Sequence, residues 1–218
     1  MLGLLVIDVL VTAAMLAIWY VVFSRYNRRR AARALHLVES GCRGKARVLE
    51  ARWISSSRLQ ARLSFAPGWF ENCRLTFHLL PRAVPFQWLF SFLRKNVETV
   101  TFEADLDYRP GFHLEIVQHR WLTQKYSTVS AASKNWTITK PGPVVLTTRT
   151  QWTQELTPVV NTLMTSRGHS LLTVRFRPSS PHFAATVSLD ALADQESAAS
   201  FLNVVHALAA GASTSRQQ

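Results

Sequence analysis

The sequence predicts an α+β protein: one long apolar helix at the N-terminal end, then a mostly antiparallel sheet with two or three helices. Three observations predict it. Residues 2–23 carry one charge, Asp8, and no proline. From residue 45 onward, apolar side chains recur at every second position in short runs bounded by turn residues, which is how half-buried strands read. A few stretches between those runs switch to helical spacing without a regular βαβ alternation, which favours α+β over a doubly wound fold.

The apolar run comes first. Leu2 to Phe23 is 22 residues. As a helix that is roughly 33 Å, enough for a hydrocarbon core of about 30 Å. Trp19 and Tyr20 stand near one end, as interfacial aromatics do. Directly after come Arg25, Arg28, Arg29, Arg30 and Arg33. No basic side chain precedes the run, so the positive-inside rule expects the N-terminus outside and residues 25–218 in the cytoplasm of an inner (cell) membrane protein. A cleavable signal needs its basic residues before a shorter apolar core, the reverse of this order. Asp8 is expected to snorkel to the outer interface.

Residues 25–41 are expected to continue the helix as a basic juxtamembrane segment, with Gly41 as its stop. A globular domain is expected over 42–211, with 212–218 as a tail. Strands are predicted at 45–54, 59–65, 73–79 and 100–108, with Arg74, Thr76 and His78 pointing outward from the third. Pro81 and Pro85 bracket a break, and Phe86 to Lys95 reads as a short helix. Phe86, Leu89, Phe90, Phe92 and Leu93 share one side of it, with Trp88 at the edge. Docking on the domain's own sheet is the expected use of that side, and lying in a membrane interface is the alternative. Phe112, Leu114 and Ile116 carry the apolar phase of 100–108 past Arg109-Pro110-Gly111, so the two runs are expected to form a hairpin. Further strands are predicted at 136–139 and 144–152, a helix from Thr157 to Gly168, a hairpin across Pro178 to Pro181, and a last helix from Asp190 or Asp194 to Gly211. The order strand, helix, strand, hairpin, strand occurs at 73–119 and again at 144–189. An internal ββαββ duplication with halves 42–121 and 122–211 therefore stays open, although identities between the halves are poor.

The net charge is +12, and 20 of the 25 basic residues are arginine. Arginine's planar fork suits phosphate and carboxylate partners. Arg47, Arg58 and Arg62 on the first strands join the juxtamembrane arginines as a candidate anion-binding set facing an anionic inner leaflet. Nucleic acid is the disfavoured alternative, because the aromatics of that meander are in phase with its core. Cys42 and Cys73 form no CxxC pair and read as reduced, buried thiols. In the expected hairpin, Asp107 would face His113 and Asp105 would face Glu115, a candidate site for a hard or borderline metal. A solvated face with basic residues reaching over is the plainer reading. G-x-S-x-G, H-E-x-x-H and dinucleotide glycine patterns are all missing, so no cofactor is expected.

These readings favour a membrane-anchored domain that works by binding, with a protein partner or a second copy of itself, inside a membrane assembly. A tethered metal-dependent hydrolase or regulator, and a lipid or nucleic-acid binder, are the alternatives.

Overall fold

A computed structural model describes residues 2–42, 46–65, 70–107, 109–110, 112–118, 136–139, 144–149 and 171–214. Helix α1, Leu2–Gly41, is a single helix of 40 residues, about 60 Å at 1.5 Å per residue. Its two halves have different surroundings. Leu4 through Val22 project from the domain, with large apolar side chains 47–70 % exposed. Further along, Asn27, Ala31, Ala34 and Val38 are buried in the domain core. The spacing of these four places them on one helical face, and the small alanines let that face approach closely.

The sheet is built from β1 (Ala46–Ser55), β2 (Arg58–Phe65), β3 (Phe70–His78), β4 (Thr99–Leu106), β5 (Leu114–Gln118), β6 (Trp136–Thr139), β7 (Val144–Arg149), β8 (Leu171–Phe176) and β9 (Phe183–Ser188). Every pairing is antiparallel, and the spatial order is β1-β2-β3-β4-β9-β8-β5-β7-β6. Helix α2 spans Pro85–Leu93, a 3₁₀ turn spans Leu189–Leu192, and helix α3 spans Gln195–Thr214. α3 therefore continues three residues past the expected stop at Gly211. The expected helix at 157–168 and the segment 121–134 lie outside the described residues, as does Lys45.

The inner sheet face carries Leu75, Phe77, Phe102, Phe176 and Phe183, each fully buried. Phe102 meets Phe65, Phe70 and Phe183 at ring-centroid distances of 5.9, 5.4 and 6.2 Å, in tilted or edge-on geometry. Such pairs add about 0.5–1.5 kcal/mol beyond the area they bury. The buried half of α1 joins this core with Ala198, Phe201, Val205 and Leu208 of α3. The two helices cross closely at Gly41, where a Cβ would sit 3.0 Å from the Ala199 backbone nitrogen.

Three expectations are corrected. The 100–116 hairpin does not form: the β8–β9 hairpin inserts between β4 and β5. Alternation told which face of each strand is apolar, and the same phase is compatible with any neighbour that buries it. β5 thus leaves the first half of the chain to pair with β7 and β8 of the second. Thr76 is buried rather than outward-exposed, because it lies within an outer-face row, Gln60-Thr76-Thr101-Thr186-Thr173, that packs on itself. Finally, α2 does not dock on the sheet. None of its residues is buried, and Phe86, Phe90, Phe92 and Leu93 are 61–78 % exposed.

Candidate functional site

The densest polar construction among the described residues is where α1 leaves its projecting half and enters the domain. Asn27 is fully buried. Its Nδ2 donates to the carbonyls of Ser56 and Leu80 at 3.2 and 3.0 Å, and its Oδ1 accepts from Arg82 Nη1 at 3.3 Å. Glu98, 4 % exposed, is the hub. It accepts from the Leu80 N–H at 3.1 Å, takes Arg30 Nε at 2.8 Å, and pairs with Arg82. Arg30 also reaches Asp190 at 2.6 Å. Burial works against the Arg30 charge, but the Tyr26 hydroxyl and the Glu98 and Asp190 carboxylates outweigh it, so its pKa lies above the ordinary arginine value. About two turns before Asn27, Trp19 Nε1 donates to the Arg82 carbonyl at 2.9 Å, and the Trp19 ring contacts Phe23 and Trp88 at 4.4 and 6.2 Å.

Two arginines against two carboxylates leave this junction neutral, and every element near it is tied in: α1, the 79–84 turn, the start of β4 and the 3₁₀ turn. It fixes the projecting helix to the domain. Removing one partner of such a buried pair costs more than the pair itself contributes, because a charge is then left unmatched.

The candidate anion-binding arginines are therefore not equivalent. Arg30 is spent internally. Arg28 holds its guanidinium 5.9 Å from the centre of the Trp53 ring, turned toward β1. Arg25, Arg29 and Arg33 are exposed and share the helix face opposite Asn27, Ala31 and Ala34. Arg47, Arg58 and Arg62 are exposed on the sheet, where Arg58 Nη2 approaches His78 Nδ1 at 3.3 Å. Yet that sheet face is not uniformly basic. Register aligns Glu50, Arg62, Arg74 and Glu103 across β1 to β4, then Ala184, Arg175 and Glu115 across β9, β8 and β5. The row alternates sign over most of its length, with Arg62 beside Arg74 as the one like-charged pair. An open cleft beside it is lined by Arg62, Asn72, Arg74, Glu103, Asp105 and Ser180 with Pro181. Mixed charge of this kind suits a polar protein surface better than a phosphate chain.

The acidic set is dispersed. Asp105 on β4 and Glu115 on β5 are separated by two intervening strands, roughly 14 Å at 4.7–4.9 Å per strand. Asp105 sits beside Glu71 and accepts from Asn72 Nδ2 at 3.1 Å, with His182 Nδ1 at 3.9 Å. Burial alone would raise its pKa; hydrogen bonds involving Ser180, Asn72 and His182 prevail and lower it. Asn72 has φ 47° at the register shift of β3, a left-handed conformation that asparagine tolerates better than most residues. Glu115 pairs with Arg175 at 2.8 Å. Asp107 is exposed beyond the end of β4, and His113 is half-buried just before β5. Among the described residues no three His, Cys, Asp or Glu side chains come together as metal ligands.

Cys42 and Cys73 are buried and unbridged. Burial, helped by Glu39 for the first and Asp105 for the second, pushes their thiols up to about 11 and about 12. They are poor nucleophiles at neutral pH.

Sequence reading missed Asn27, Arg82, Glu98 and the Trp19–Trp88 contact. The one available signal was Asn27 standing on the apolar helix face, since a buried amide needs partners. Those partners come from segments 29, 53 and 55 residues away in sequence, which no local pattern reveals. Among the described residues one helix, α1, is long and apolar enough to cross a membrane, and none of its most apolar window is buried. Neither protein-family models nor the sequences of curated proteins yield a match to this chain.

Proposed function

We propose that this chain is a single-pass membrane protein whose N-terminus lies outside and whose domain faces the cytoplasm, where it acts as a rigidly held binding module of a membrane-associated assembly. The observation that carries the reading is the double use of α1. Its first half exposes Leu4 to Val22, and the same unbroken helix contributes Ala31, Ala34 and Val38 to the domain core. Apolar side chains on that scale are stable in lipid and not in water. A signal peptide awaiting cleavage has no need to be wired through Trp19 and Asn27 into the domain it leaves.

Such a helix holds the domain at a set height and angle, with no flexible linker to cross. That serves a component which must present a surface to partners in the plane of the membrane. The surface on offer is the outer face with its row of alternating charge, together with the edge strand β1. β1 leaves Leu49 and Ile54 more than half exposed, and an open edge can accept a further strand. The arginines on the exposed face of α1 set orientation and meet anionic head groups. No convergent nucleophile, base or metal set emerges among the described residues, so binding is favoured over catalysis.

The test is orientation. Alkaline phosphatase fused after Gln218, active only outside the cytoplasm, is expected to be silent, and a fluorescent protein fused there is expected to fold and shine. An active phosphatase fusion would reverse the topology and remove the cytoplasmic module.

A further inference from the structure

Helix α2 is the most apolar surface of the domain that nothing in the described structure covers. It has no buried residue. Phe86, Phe90, Phe92 and Leu93 are 61–78 % exposed, Leu89 is 49 % exposed, and Val97 just beyond is 44 % exposed. At 100° per residue Phe86, Leu89, Phe90 and Leu93 share one face. Phe92 flanks that face, and Trp88 lies beyond it on the side turned to α1, its ring 6.1 Å from Phe92 and 6.2 Å from Trp19. Gln87, Ser91 and Arg94 take the other face.

Position identifies the occupant. Trp19 lies four residues before Phe23, within the last turns of the apolar run of α1. The turn that leads into α2 is bound to it through the Trp19 Nε1 bond to the Arg82 carbonyl, and Asn27 holds Leu80. α2 is therefore fixed beside the end of the span. The exposed apolar stretch of α1 ends beside Trp19, whose ring meets Trp88 of α2, and Trp88 in turn meets Phe92. A surface continuous with a membrane span, at the level where that span ends, meets the same lipid. Exposed Lys95 at the close of α2 can extend toward head groups as the rings go inward.

Resting on the membrane-anchored reading above, we propose that α2 is a second membrane contact: an interfacial helix lying in the leaflet that α1 leaves, with Phe86, Leu89, Phe90 and Leu93 in the acyl boundary. The domain then touches the bilayer at two places, the span and α2, which removes its freedom to swing about the span. A lone span leaves rotation and tilt open; a lateral helix closes them.

The experiment uses the full chain in bilayers of phosphatidylcholine and phosphatidylglycerol. Single cysteines are introduced by Leu10→Cys, Gln87→Cys, Phe90→Cys and Leu93→Cys and labelled with a polarity-sensitive maleimide dye. The buried native thiols stay dark at neutral pH, which the unmodified chain verifies. Quenching by aqueous iodide is compared with quenching by nitroxides tethered to lipid at graded depth. Residues 90 and 93 are expected to be quenched severalfold better by shallow nitroxide lipids than by iodide, residue 87 the reverse, and residue 10 only by deep nitroxides. Iodide reaching residues 90 and 93 as readily as 87, with residue 10 protected, would leave the anchor standing and overturn the lipid contact of α2. Protection of 90 and 93 from both quenchers would overturn it too, in favour of a second copy or a protein partner covering α2. Iodide reaching residue 10 would defeat the anchor reading itself, and the proposal with it. Phe86→Cys, at the most exposed of the large apolar side chains of α2, repeats the measurement should Phe90→Cys not fold.

Discussion

Glu98 shows how much of this structure rests on single side chains. One carboxylate, almost wholly enclosed, meets the Arg30 guanidinium from α1 and both the Arg82 guanidinium and the Leu80 N–H from the 79–84 turn. Glu98→Gln leaves Arg30 with Asp190 as its one remaining carboxylate and leaves Arg82 without any among the described residues. The expected loss is about 3–5 kcal/mol, the usual cost of breaking a buried pair from one side. Arg29→Gln is the matched control. It neighbours Arg30 in sequence but is exposed on the face of α1 opposite the buried Asn27 and Ala31, so it should stay within about 0.5 kcal/mol of the parent. Thermal unfolding of the detergent-solubilised protein reads both, and equal effects from the two would show that the junction does not clamp the helix.

Among the elements, α1 and α3 meet with little room to spare. Alanines 198 and 199 and Gly41 allow backbones to approach where larger residues would hold them apart. Gly41→Ala brings a Cβ to 3.0 Å from the Ala199 nitrogen and 3.3 Å from the Ala198 side chain, and better helix propensity offsets part of that strain. Gly41→Val adds two methyls without that compensation. The expected outcome is near break-even for Ala and a loss of about 1–3 kcal/mol for Val, as for other overpacked sites. A Val variant as stable as the parent would mean the crossing is looser than it stands here. α2 presents the opposite case, an element with no buried residue, held to the rest of the described chain through the Trp19–Trp88 contact. Its Phe-rich spacing was legible in advance, but the same spacing fits a sheet or a lipid surface, and periodicity alone does not separate the two.

For the whole molecule, the order of strands decides what can couple to what. The insertion of β8 and β9 between β4 and β5 puts Asp105 and Glu115 in separate networks. Asp105→Asn and Glu115→Gln should each weaken their own contacts, and the double variant should equal the sum within about 0.3–0.5 kcal/mol, as for sites that share no partners. A larger coupling, or a double variant more stable than either single one, would point to direct repulsion between two facing carboxylates, which is what a β4–β5 hairpin would have produced.

The residues by themselves determined the long apolar helix and its continuation to Gly41, the strands of the first meander and the α+β class. Each of these is written in local periodicity, which follows from backbone geometry and from which side chains leave water. Tertiary structure alone decided the neighbours. β5 pairs with β8 rather than β4 because any antiparallel partner of the right phase would bury Leu114 and Ile116 equally well. Arg30 and Arg25 look alike in sequence; one is paired inside the domain and the other points away, because the helix phase set by Asn27, Ala31 and Val38 carries only the first toward Glu98. Burial is a property of what lies opposite in space, and contacts such as Asn27 to Leu80 join residues that local sequence cannot bring together.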